Sequence, residues 1–176
     1  MSKPIEVRNP RTGKFDYVIV PPPQKLLALQ CNRLRRFQVS WRQLGIAGRI
    51  AALQQWKQAI KLLHDKLTEA LVNDTGRLSI SILEIDSLLD CIEHWCQLAP
   101  DLLQESQQDT PISFIQLHHT LVPYSLVGVI SPWNFPLLLS TIEIIPALLA
   151  GCAVIVKPSE IAPRFMTPLL LSLIHI

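Results

Sequence analysis

Charge is scarce in this sequence. Only 17% of its 176 residues are Asp, Glu, Lys or Arg, against roughly 25% in an ordinary soluble domain. Sixteen basic and 14 acidic residues leave a formal net charge of +2, which excludes a strongly basic nucleic-acid module with its concentrated cationic footprint. A hydrophobic share of 49% excludes a disordered chain. Six glycines and 14 prolines are too few and too scattered for collagen or a low-complexity linker. The four cysteines, Cys31, Cys91, Cys96 and Cys152, form no CxxC pair of the zinc or thioredoxin kind, so no metal site is expected. As reduced thiols they point to the cytoplasm. Lys3, Glu6 and Arg8 interrupt any signal-peptide pattern at the amino terminus. No GxGxxG occurs, so the standard dinucleotide fingerprint is missing.

One apolar run, Leu137–Val156, is long enough to span a bilayer. Glu143 and Pro146 interrupt its middle, and a carboxylate at mid-bilayer costs on the order of 3 kcal/mol. Past Gly151 the run changes from Leu-rich to Val/Ile-rich, which predicts a helix followed by a strand and no membrane partner.

The rest of the chain divides by its periodicities. Ile5–Val7 and Tyr17–Val20 read as strands around turn residues Asn9-Pro10 and Thr12-Gly13, and Pro21-Pro22-Pro23 stops them. Gln24–Leu44 reads as a helix with Leu27, Leu34, Phe37 and Trp41 on its apolar stripe and arginines on its wet face. Ile46, Ile50, Leu53, Trp56, Ile60, Leu63, Leu67 and Leu71 recur at steps of three or four, predicting one long amphipathic helix that Gly76 stops. Ser81-x-x-Glu84 reads as a capping box opening the next helix, which ends near Pro100. A polar link, Gln104–Thr110, precedes a β-prone segment, Ile112–Val122, where His118-His119 reads as a surface-strand pair. Then come a strand (Leu126–Ser131), a helix (Pro136–Ala150), a strand (Ala153–Lys157) and a helix start at Thr167. Strand, helix, strand, helix with continuous apolar strands predicts an α/β fold with a parallel, doubly covered sheet.

In open α/β sheets ligands gather at the carboxyl ends of strands. Two segments stand there. In Ile130-Ser131-Pro132-Trp133-Asn134, the Asn134 amide precedes a helix start and suits a developing negative oxygen; it reads equally as a simple helix cap. In Lys157-Pro158-Ser159-Glu160, a lysine that donates and a glutamate that accepts suit a ribose diol; the same residues also make an ordinary strand-to-helix turn.

Taken together, the run VGVISPWNFPLLLSTIEIIPALLAGCAVIVKPSEIAP resembles the first strands of the cofactor domain of the aldehyde dehydrogenase superfamily, and Leu67–Ala70 and Asp74–Arg77 resemble its amino-terminal helices. The resemblance covers roughly Ile46–Pro168. It implies amino-terminal helices plus the first part of a parallel Rossmann-like sheet, truncated: residues 1–45 an amino-terminal strand, turn and helix, residues 46–176 a partial NAD-binding domain. It implies a small-molecule aldehyde substrate, NAD rather than NADP as cofactor, and a homo-oligomer (dimer or tetramer) for the full-length relative. By position, Asn134 would be the oxyanion-hole amide. Lys157 and Glu160, with Ser159 in their turn, would hold the adenosine ribose, and Ile130, Ser131, Pro132 and Trp133 would line the cofactor cleft.

In this family the nucleophilic cysteine and the general-base glutamate lie farther along than residue 176, and none of the four cysteines matches the nucleophile. Cys152 reads as a small buried thiol. The closing LLLSLIHI departs from the family's next helix. The chain alone is therefore expected to be inactive; the alternative is a non-catalytic module completed by a partner chain.

Overall fold

A computed structural model describes residues 3–174; the first two residues and His175-Ile176 of the closing segment lie outside the described residues. Ile5–Arg8 (β1) and Phe15–Ile19 (β2) pair antiparallel, as expected, with Val7 opposite Tyr17. Asn9 builds the connecting turn: its carbonyl accepts from Gly13 N–H at 2.8 Å, and its side-chain oxygen from Arg11 N–H at 3.0 Å.

After Pro23 the chain enters α1, Gln24–Gln43. Its inner face differs from the expected stripe. Leu34 and Trp41 are half-buried and Gln38 is buried, whereas Leu27 and Phe37 are exposed, with the Arg33 guanidinium 5.5 Å over the Phe37 ring. Hydrogen bonding sets the face. Gln38 Nε2 donates to the Gly151 carbonyl at 2.7 Å, and Trp41 Nε1 to the Leu148 carbonyl at 2.9 Å, which also accepts from Gly151 N–H, so both side chains fasten α1 to the carboxyl end of the helix Pro136–Ala150.

The long helix expected from Ile46 to Leu71 is two helices, α2 (Gly45–Leu62) and α3 (His64–Thr75), broken where Leu63 leaves helical dihedrals at φ −104°, ψ 11°. Ile60 and Leu67 stand two full turns apart and both are fully buried, so the apolar repeat runs through the break unmarked. Gly76 ends α3 in the left-handed region at φ 72°, as its position predicts.

Helix α4 (Leu78–Leu102) starts three residues before the expected capping box and contains Pro100 rather than ending at it. Ser81 Oγ donates back to the Arg77 carbonyl at 2.6 Å, and Glu84 turns toward another helix altogether. The polar link is also structured. Ser106–Asp109 (β3) pairs antiparallel with Gln116–His119 (β4), Gln107 opposite His118, and every residue of both strands is exposed.

Leu126–Ile130 (β5), Pro136–Ala150 (α5) and Ala153–Lys157 (β6) form the expected strand–helix–strand unit, the two strands parallel. Val127, Val129, Val154 and Val156 join the core together with Leu137 and Ile145 of α5; Leu126, Gly128 and Ile155 alternate onto the other side of the pair. Helices α1 and α5 both pack against the strands. The apolar run Leu137–Val156 thus falls within α5, β6 and the link between them, Glu143 is exposed, and among the described residues no helix is long and apolar enough to cross a membrane. Gly151 closes α5 at φ 95°, where a side chain is strained, and Arg49 Nε donates to the Leu149 carbonyl at 2.8 Å beside it. Helix α6 (Met166–Ser172) docks on α2 through Trp56 Nε1, which donates to Ser172 Oγ at 2.7 Å.

Candidate functional site

Strands β5 and β6 end level with each other. Ile130 faces Lys157 across the pair, and Ser131 N–H donates to the Lys157 carbonyl at 3.0 Å. This bond sets the Asn134 turn and the Lys157 turn side by side at the carboxyl edge of the sheet. Ser131 is buried, and its hydroxyl donates to the Pro136 carbonyl at 3.0 Å, folding the turn back on itself. That leaves Ile130, Pro132, Trp133 and Asn134 exposed on the outside.

The structure does not place Asn134 in the helix-cap role. The N-cap position of α5 is Phe135, with no side-chain cap. The free N–H groups of Leu137 and Leu138 donate instead to Glu84 Oε2 of α4, at 3.1 and 3.2 Å. The Asn134 amide is therefore not spent on the helix, while its backbone carbonyl accepts from the Arg77 guanidinium, which also lies 5.4 Å over the Phe135 ring. Glu84 is fully buried. Burial lifts its carboxyl above the ordinary glutamate range, against the pull of the two backbone N–H groups and of Arg77. Sequence reading missed both residues as parts of this turn. The Ser-x-x-Glu pattern had marked Glu84 as a helix-capping carboxylate, but for the wrong helix.

In the second turn, Lys157 Nζ donates to Glu160 Oε2 at 2.6 Å, and the side chains are 61% and 53% exposed. The lysine holds the Glu160 carboxyl below its usual range. Ser159 is buried, and its Oγ accepts from Ile161 N–H at 3.2 Å, which shapes the turn. Lys157 and Glu160 rim a mostly apolar cleft of about 330 Å³ whose other wall is the hairpin, through Tyr17, Ile19 and Pro21. Below it, Arg164 ties the segment following β6 to the hairpin and to α3: its guanidinium pairs with Asp16 at 2.6 Å and Asp74 at 2.8 Å and sits 5.0 Å over the Tyr17 ring.

Cys152 is buried, and burial pushes its thiol upward, the reverse of what a nucleophile needs. The four cysteines are free.

A model of the aldehyde dehydrogenase family matches residues 2–175, a wider stretch than Ile46–Pro168. PutA of Anabaena variabilis, a structure assigned as an aldehyde dehydrogenase, superposes with a TM-score of 0.95 at 71% identity over 97% of this chain and 36% of its own. Betaine aldehyde dehydrogenase of Staphylococcus aureus, solved in complex with NAD+, superposes with a TM-score of 0.88 at 25% identity over 97% of this chain and 35% of its own. The 4,4'-diapolycopene aldehyde oxidase of a Methylomonas species is 36% identical over 141 residues, which are 77% of this chain and 27% of that protein. The chain spans about a third or less of the length of these relatives.

Proposed function

This chain belongs to the aldehyde dehydrogenase family, and from that premise we propose that it contributes the oxyanion and ribose contacts of an oxidoreductase that converts an aldehyde to a carboxylic acid with NAD. The observation that carries the reading is the shared sheet edge, where an uncommitted amide and an exposed lysine–glutamate pair stand on adjacent turns joined by the Ser131–Lys157 hydrogen bond. When a nucleophile adds to an aldehyde carbon, the carbonyl oxygen takes up negative charge, and an N–H held ready for it lowers the barrier. The Asn134 side chain supplies that donor.

The donor set also fits a nicotinamide dinucleotide. Lys157 offers N–H groups beyond the one bonded to Glu160, and the Glu160 carboxylate accepts, so the two suit the adjacent hydroxyls of the adenosine ribose. Ile130, Pro132 and Trp133 give the cofactor cleft its apolar lining, and Ser131 and Ser159 shape the two turns. When bound, the nicotinamide accepts hydride. Glu160, held ionised by Lys157, opposes a 2′-phosphate, which favours NAD over NADP. We assign residues 46–176 to the cofactor unit with residues 1–45 as its amino-terminal extension, place the protein in the cytoplasm on its free thiols, and assign the complete enzyme to a homo-oligomer.

Two outcomes test the reading. The purified 176-residue chain, which on this reading carries neither nucleophile nor base, is expected to form no NADH from aldehyde and NAD; detectable turnover contradicts it. In the complete enzyme, Glu160→Gln is expected to shift the ratio of kcat/KM for NADP over that for NAD upward by about tenfold, equivalent to about 1.4 kcal/mol. An unchanged ratio removes Glu160 from the ribose site.

A further inference from the structure

The turn that carries Asn134 is tied internally through the Ser131 hydroxyl, which donates to the Pro136 carbonyl at 3.0 Å. Pro132 and Pro136 have no N–H to give, Asn134 and Trp133 point into solvent, and the regular backbone bonds resume only with Leu139 N–H donating to the Phe135 carbonyl at 3.0 Å. One end is pinned by Ser131 to β6. The helix start at the other end is held further by α4.

We propose that Arg77 and Glu84 are positioning residues for Asn134, fixing the turn between β5 and α5 so that the Asn134 amide stays aimed at the carbonyl oxygen of the substrate. This rests on the oxyanion role proposed for Asn134. Arg77 grips the turn from its open side: the guanidinium donates to the Asn134 carbonyl itself and covers the ring of Phe135. Glu84 grips it from beneath, accepting from the first two free N–H groups of α5. The two stand two helical turns apart at the same end of α4, so one helix end carries both grips.

The energetics point to the same role. A helix needs only a Ser, Asp or Asn at its own N-cap to satisfy its first turn, and such a cap is cheap and local. Here the N-cap is Phe135, and the task falls to a fully buried carboxylate from a distant helix, whose second oxygen, Oε1, is buried with no hydrogen-bond partner. Burying a carboxylate with half its acceptor capacity unused is costly. The return for that cost is a helix start whose position is referred to α4 as well as to its own turn. An amide that must meet a developing charge gains from such a fixed frame, since a displacement of about 1 Å at a reacting group can cost about 100-fold in rate.

The test is a double-mutant cycle in the complete enzyme that carries this chain. Glu84→Ala is expected to lower kcat by about 10–30-fold while the KM for NAD moves less than about threefold. Glu84→Gln, whose amide oxygen still accepts both N–H groups, is expected to restore most of that loss, and Arg77→Ala to lower kcat by about three- to tenfold. In an Asn134→Ala background, Glu84→Ala should lower kcat by less than about twofold more, because the group it positions is gone. A full further 10-fold loss in that background, or an unchanged kcat for Glu84→Ala alone, overturns the inference. If Glu84→Ala fails to fold, the Arg77→Ala/Asn134→Ala pair decides by the same rule. An unchanged kcat for Asn134→Ala instead sinks the oxyanion reading, a failure the cycle separates from the first.

Discussion

Replacing Asn134 by alanine in the complete enzyme is expected to lower kcat by about 100–1,000-fold, the usual loss when one preorganised oxyanion donor is removed. The structure makes this a clean experiment. Had Asn134 been the N-cap of α5, its loss would have cost about 1 kcal/mol of stability and blurred the reading of any change in rate. Glu84 satisfies the helix start instead, and the Arg77 contact is to the backbone carbonyl of Asn134, which alanine keeps. Thermal unfolding should therefore stay within about 0.5 kcal/mol of the parent, the ordinary range for an exposed side chain with no partner. The KM for NAD should change little, because the ribose contacts proposed above belong to the other turn. A kcat within threefold of the parent excludes Asn134 from the oxyanion site.

Much of this arrangement was legible beforehand, and the boundary of legibility has a physical basis. The strand–helix–strand unit from Leu126 to Lys157 could be placed because each junction carries local chemistry: Pro136 at the first turn of a helix, Gly151 at its end, and Val/Ile runs on either side. The break at Leu63 could not be seen, since a bend between residues two turns apart preserves the apolar repeat that predicts a helix. The inner face of α1 was misplaced for a different reason. Its orientation depends on carbonyls of Gly151 and Leu148, more than 100 positions away, which a pattern of hydrophobic residues does not register. Glu84 is the instructive case for the site. Its spacing from Ser81 gave the right chemistry, a carboxylate capping a helix start, but only tertiary packing of α4 on α5 says which helix. The Lys157–Glu160 pair, made within one turn, was within reach of sequence; contacts made by one element on another, such as those of Glu84, were not.

A second large effect is expected at Arg164, and it is one of stability. This guanidinium is buried between Asp74, whose side chain is wholly buried, and the more exposed Asp16, and Arg164 N–H also donates to Asp74 Oδ2 at 2.7 Å. Removing one partner of a buried pair leaves an uncompensated charge, so Arg164→Met is expected to cost about 3–5 kcal/mol at pH 7.5. The cost should depend on pH with a definite sign. Burial lifts the Asp74 carboxyl from an ordinary 3.8 to about 6, even with Arg164 beside it. A carboxyl raised in the folded state binds more protons there than in the unfolded chain, so its contribution favours folding below about pH 4 and is lost as pH rises through 6. Without Arg164 the carboxyl rises further and the window of loss extends upward, so the deficit at pH 4.5 should be clearly smaller than at pH 7.5. Asp16 shifts the other way, but it is exposed and screened by solvent and adds little. Urea unfolding of parent and variant at the two pH values checks both size and sign; a deficit that grows toward pH 4.5 contradicts the burial account. The same residue stands four positions past Glu160 and anchors its turn to the hairpin and to α3, so the variant should also raise the KM for NAD in the complete enzyme, whereas Asn134→Ala should not.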